Sequence, residues 1–141
     1  MHDPHDLQRF VEAQTPVFDR ALAELRAGRK QTHWMWFVFP QIAGLGHSAM
    51  ARRYAISHMN EARAYLAHEL LGPRLCTCAQ AMLLHGDRSA RQILGSPDDI
   101  KLRSSMTLFA AVAPDQAIFR QVLDTFFNGE ADPATLSRLQ H

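Results

Sequence analysis

Seven glycines and seven prolines cut this chain into short pieces, and that punctuation constrains the fold more than any other feature. Pro16, Gly28, Pro40, Gly86, Gly95, Pro114 and Gly129 each bound a stretch whose apolar residues recur three and four positions apart. That spacing marks one face of a helix, because strands alternate with a period of two. Asp6 is placed to cap a first helix through Gln14. Thr15-Pro16 offers an N-cap with proline at N1 for a second, in which Val17, Ala21, Leu22 and Leu25 form a stripe ending at Gly28. Ser48 caps a helix through Tyr54, and Asn60-Glu61 begins another carrying Ala62, Tyr65 and Leu66. Gly72-Pro73 opens a longer one that stops at Gly86, and Ser89 caps a short one closed by Gly95.

The sharpest start signal is Ser96-Pro97-Asp98-Asp99. Ser96 is the expected N-cap, Pro97 sits at N1, and two carboxylates occupy the first turn, where the helix dipole favours negative charge. The helix should run to about Ala113 with Leu102, Met106, Phe109 and Val112 inward, and Asp99 and Arg103 are spaced as an i,i+4 pair. A last long helix carries Ile118, Val122, Leu123, Phe126 and Phe127 before Asn128-Gly129, and Asp132-Pro133 begins a short C-terminal turn. The expected architecture is mainly α: a compact multi-helical single domain over residues 6–139, with a flexible tail at 1–5. Residues 34–39 have neither strict alternation nor a polar face, so a minor extended segment and a buried helix are both open there; Pro40 ends either one.

At 141 residues the chain is large enough to bury roughly two thirds of its unfolded surface. A net charge of +1 calls for neither a nucleic acid duplex nor an anionic membrane. No apolar run reaches the roughly 18 to 20 residues that span a bilayer, and the N-terminus lacks a signal peptide's basic and apolar regions. A cytoplasmic location is expected. Cys76 and Cys78 stand two apart in a helical pattern and point to nearly opposite sides, so they can neither pair nor share a metal. Two reduced thiols, at least one buried, is the reading. The histidines show no metal-ligand spacing; neither a structural metal nor a cofactor is expected.

Residues 32–41, Thr-His-Trp-Met-Trp-Phe-Val-Phe-Pro-Gln, hold both tryptophans of the chain. Indoles give flat apolar area with one N–H donor, suited to a core or to stacking on a ligand. Trp34 and Trp36 diverge in either geometry, so one of them at most can face a given cavity, while Phe37 and Phe39 read as core. Lys30, His33 and Gln41 flank the run as hydrogen-bonding partners. The helix from Pro97 carries Lys101, Ser104, Ser105 and Thr107 beside the two aspartates. Lys101 and Ser105, four apart, could hold a phosphate or sugar oxygen, although the aspartates oppose an anion there, and a solvated, ion-paired face is the favoured account. Tyr54 follows Arg52-Arg53, a pair able to clamp an anion but common on surfaces. Glu61 needs no role beyond its helix start.

Taken together, His33-Trp34-Met35-Trp36-Phe37 with Phe39-Pro40-Gln41, Gly44-Leu45-Gly46, Tyr54-Ala55-Ile56, Leu71-Gly72-Pro73-Arg74-Leu75 and Gly95-Ser96-Pro97-Asp98-Asp99 with Lys101 to Phe109 resemble the bacterial domain-of-unknown-function 1810 family over about Asp6 to Leu136. Its members often carry the label calpastatin; a calpain inhibitor is disordered, whereas this chain is built to pack. The resemblance implies a mainly helical fold and no established activity. More distantly, the order of features in the second half is similar to the YbiA-like, or NADAR, superfamily, which implies a link to ADP-ribose and NAD-derived compounds and to N-glycosidic cleavage.

The expectation is a small-molecule site for a nucleotide or ADP-ribose-like ligand, with N-glycosidase activity as its catalytic form. Asp98 and Asp99 are the candidate catalytic carboxylates. His33, Trp34, Trp36, Gln41, Tyr54, Lys101 and Ser105 are the candidate binding residues. The alternative is a non-catalytic protein-interaction module. An enzyme should bring 33–41 and 98–105 together at a pocket, and a module should expose an apolar patch of several hundred Å².

Overall fold

The helix Asp98–Val112 buries every residue from Ser104 to Phe109. A helix buried on all sides is the centre of its domain, and here it organises the rest. The computed structural model describes residues 2–140. In chain order the helices are α1 (Gln8–Gln14), α2 (Phe18–Arg26), α3 (Met35–Val38), α4 (Ala49–Arg53), α5 (Met59–Ala67), α6 (Leu71–Leu83), α7 (Ala90–Leu94), α8 (Asp98–Val112), α9 (Ala117–Phe127) and α10 (Pro133–Leu139). α9 packs most closely on α8, and α5, α7 and α10 surround it. α6 lies against α2, α5 and α9. One continuous core runs through these elements, including Phe10, Trp34, Tyr65, Phe109 and Phe119, each fully buried. No helix among the described residues is long and apolar enough to cross a membrane.

The two conformations left open at 34–39 resolve to a single helical turn, α3, ended by Pro40 as expected. Extended structure among the described residues is one parallel bridge, Ile42 with Ile56. Several starts shift. Asp3, not Asp6, caps α1, its carboxylate accepting from the Leu7 and Gln8 amides at 2.9 and 3.0 Å. α2 begins after Val17 rather than at Thr15-Pro16, because the Thr15 hydroxyl turns back to the Val11 carbonyl. α8 begins at Asp98 with Pro97 at the cap position, and the Asp99 amide finds the Gly95 carbonyl at 3.0 Å, so Ser96 caps nothing. Met1, the first residue of the expected tail, lies outside the described residues.

The larger correction concerns the polar face of α8. Ser104, Ser105 and Thr107 are buried, not solvated, and α10 with its cap residue packs at Ser104 and Thr107. The Ser104 hydroxyl donates to Asp132 at 2.9 Å, and the Thr107 hydroxyl accepts from the Asp132 amide at 2.9 Å. Asp132 also caps α10 through the Thr135 amide and hydroxyl. Nor does the Asp99–Arg103 pair form. The Arg103 guanidinium donates instead to the Glu130 and Ala131 carbonyls, both at 2.8 Å. Cys78 is buried, and that burial pushes its thiol up to about 12; Cys76 is partly exposed.

Candidate functional site

The aromatic segment is held in place by one carboxylate. Glu24, in the last turns of α2, accepts from the Gln31 amide at 2.8 Å, the Thr32 amide at 3.0 Å, the Thr32 hydroxyl at 2.7 Å and the Trp34 indole N–H at 2.9 Å. Burial raises its pKa, but these donors outweigh that and bring the carboxyl down to about 2. The far end of the segment is fixed by Gln14, whose amide donates to the Phe37 carbonyl at 2.6 Å and to the Tyr65 hydroxyl at 2.9 Å. Between them, Lys30 ties to α7 through its amide and the Ile93 carbonyl at 2.7 Å. Backbone direction through 30–38 is therefore set at both ends.

With the segment so fixed, Trp34 and Trp36 diverge. Trp34 is fully buried, whereas Trp36 is half-buried at the wall of a cleft. Each tryptophan carries a lysine over its ring, Lys30 at 5.2 Å from Trp34 and Lys101 at 5.4 Å from Trp36, within cation–π range. Both lysines meet on Asp98. Lys30 reaches one carboxylate oxygen at 3.0 Å and Lys101 the other at 3.7 Å. Lys30 is the more enclosed, its side chain 8% exposed against 24% for Lys101. The chain holds two lysines and thirteen arginines, and both lysines reach this one aspartate. A compact, flexible ammonium suits a shared site where a planar guanidinium would demand its own geometry.

The cleft is lined by Met35, Trp36, Phe39, Gln41, Tyr54 and Lys101, with Gly44, Gly46 and Ala51 across from them. Four of the expected binding residues thus converge: Trp36, Gln41, Tyr54 and Lys101. Asp98 stands behind Lys101 and off the cleft wall. Asp99 and Ser105 each present a buried oxygen with no hydrogen-bond partner in the protein, Oδ1 and Oγ respectively. His33 is exposed and outside the cleft, and Trp34 lies in the core. The cavity is about 10 Å³, room for a single water. A ligand of drug or nucleotide size needs about 300 Å³ or more. In this form the site is closed.

Larger hollows lie elsewhere. One of about 360 Å³ sits among α8, α9 and α10, lined mainly by Ala110, Ala111, Leu123, Ala131 and Leu136. A broad, open one of about 850 Å³ is ringed by His5, Arg9, Arg52, Arg53, His58 and Glu61. The first also has Thr107, Gln116 and Arg120 on its wall, and none of the residues singled out for ligand binding reaches it. In the second, Arg9 and Glu61 are paired at 2.9 Å, and Ser57 donates to Glu61 at 2.8 Å. Glu24 and Gln14, which position the site, were not singled out from the sequence. Both act through partners in other elements, and only the four-residue step from Glu24 to Gly28 at the end of α2 hints that Glu24 faces the returning chain.

A family model described as "Protein of unknown function (DUF1810)" matches residues 4–139. No curated protein matches the chain. Among solved structures, the crystal structure of the conserved hypothetical protein Rv1873 from Mycobacterium tuberculosis is similar at 51% identity, with a TM-score of 0.97 over 99% of each chain.

Proposed function

The chain belongs to the DUF1810 family, whose name carries no activity, and from its site we propose that it binds a nucleotide or ADP-ribose-like small molecule beside Trp36. The observation that carries this reading is Lys101, whose ammonium lies over the Trp36 ring at the cleft while Asp98 has its closer partner in Lys30. Held by Asp98 only at 3.7 Å, the Lys101 ammonium is the one of the pair able to turn to a phosphate, with the Trp36 indole to stack on a base. Gln41 and Tyr54 bring polar atoms to the same cleft. Trp34 supports the site by carrying Lys30, Ser105 lies one turn from Lys101 on α8, and His33, exposed and outside the cleft, would meet only a ligand that extends beyond it.

N-glycosidic cleavage is the catalytic form of the same reading. An oxocarbenium-like transition state needs a carboxylate near the sugar, and Asp98, with Asp99 beside it, fills that role in the proposal. Neither lines the cleft in its closed form, so the geometry supports binding more directly than cleavage. The more distant likeness to the YbiA-like superfamily belongs to this proposal too and directs the ligand screen to NAD-derived compounds, as does a cytoplasmic location. A protein-interaction module would need its apolar surface gathered, whereas the exposed large apolar residues Met50, Leu70, Leu84, Ile100 and Leu136 are dispersed over separate elements.

Thermal-shift titration against ADP-ribose, NAD, nucleotides and phosphosugars tests the reading. A ligand at a hundredfold excess over Kd should stabilise the protein by about 2.7 kcal/mol, and release of nicotinamide from NAD should vanish in Asp98→Asn. No shift across the panel would refute it.

A further inference from the structure

Part of the cleft wall, Gly44, Gly46 and Ala51, comes from a segment with few buried contacts. None of residues 44–53 is buried, although Ile42, Tyr54 and Ile56 at its two ends are. α4, inside this segment, buries none of its residues and is not among the closely packed helix pairs. Its hydrogen bonds are local: Ser48 accepts from the Ala51 amide through Oγ and from the Arg52 amide through its carbonyl, and Met50 accepts from Tyr54. Leu45 is the one apolar side chain of the segment that packs against the core, and the remaining anchoring lies at the ends. Ala43 donates to the Ile56 carbonyl and Ile56 to the Gln41 carbonyl, both at 2.8 Å, while Arg9 donates to the Arg53 and Ala55 carbonyls at 2.8 and 2.9 Å. Gly44, at φ +98°, and Gly46 form the cleft's outer wall. Over Gly44 lies the guanidinium of Arg138, from α10, so close that a β-carbon at Gly44 would collide with it.

We propose that residues 44–53 are a lid over the Trp36 cleft, hinged at Gly44 and at Arg53 and latched by Arg138, and that the ligand enters when this lid swings away. The proposal rests on the ligand-binding reading of the same cleft and supplies the step that reading requires, since a cavity of about 10 Å³ admits no nucleotide. Segments that open on their own are those with few buried contacts and solvent-facing backbone bonds, which is the make-up of 44–53. Opening would widen the cleft at Trp36, Gln41 and Lys101 together, because these line it along with Gly44, Gly46 and Ala51.

Hydrogen exchange read by mass spectrometry on the full chain, with and without ADP-ribose, tests this. In the free protein, peptides covering 44–54 should exchange at least about tenfold faster than those covering Ser104–Phe109 of α8. Arg138→Ala should accelerate 44–54 further, leave α8 unchanged and increase acrylamide quenching of tryptophan fluorescence. Exchange at 44–54 as slow as in α8, or indifferent to Arg138→Ala, would overturn the lid. The ADP-ribose arm separates the two proposals. Binding that slows exchange at 44–54 supports both, and binding that leaves it unchanged defeats the lid alone. Independent opening of 44–54 with no binding of ADP-ribose upholds the mechanical element and defeats it as the entrance for that ligand.

Discussion

Glu24 and Asp98 do the most specific work of any single residues here, and each has a testable signature. Glu24 is ionised in the folded state down to about pH 2, below the roughly 4.3 of a free glutamate. Its contribution to stability is therefore complete above the unfolded value and is lost as pH falls toward 2. Glu24→Gln should cost about 2 kcal/mol at neutral pH, the scale of losing charged hydrogen bonds, and should flatten the fall in stability between about pH 4.5 and 2. Urea unfolding at a series of pH values reads both. The two lysines on Asp98 should separate by role. Lys30→Met removes the closer, more enclosed partner and should destabilise by about 2 kcal/mol. Lys101→Met should cost about 1 kcal/mol or less yet weaken ADP-ribose binding at least tenfold. The divergence of Trp34 and Trp36 was legible in their i,i+2 spacing alone, whereas the fourfold bonding of Glu24 was not, because sequence periodicity reports which face is apolar and not which carboxylate will meet a returning backbone.

At the scale of elements, helix ends were readable where the capping side chain bonds its own turn. Ser48 caps α4, Ser89 and Gln92 make a reciprocal capping box on α7 at 2.8 and 3.0 Å, and Asp132 caps α10. Ends fixed by distant groups were misread. Spacing points Arg103 at Asp99, yet the carbonyls of Glu130 and Ala131, more than a full helix away in sequence, give it two bonds, and its ion pair is with the Glu130 carboxylate at 3.8 Å. The buried hydroxyls of α8 were read as solvated for the same reason, since α10 and its Asp132 lie beyond any local window. Asp132→Ala should expose the consequence. It removes the α10 cap and the acceptor of the buried Thr135 hydroxyl, so a loss of about 2–3 kcal/mol is expected, with α10 the first helix to lose exchange protection. Ser89→Ala, touching a cap alone, should cost about 1 kcal/mol.

For the whole molecule, a central helix wrapped by α5, α7, α9 and α10 makes a rigid frame against which the 29–41 segment and the 44–53 segment meet at one cleft. The mainly helical class and the single domain followed from punctuation and periodicity. Convergence of Trp36, Gln41, Tyr54 and Lys101 could be suspected from the sequence, but the small size of the cleft they share could not, since it depends on how the segment from Gly44 to Arg53 packs beside them. Stacking of a nucleotide-like ligand on Trp36 is read by a fluorescence titration of the wild type and Trp36→Phe with ADP-ribose. A saturable emission change in the wild type that disappears in Trp36→Phe, with the variant's fold intact by circular dichroism, is the predicted result. No saturable change in the wild type, or the same change in both proteins, would contradict it.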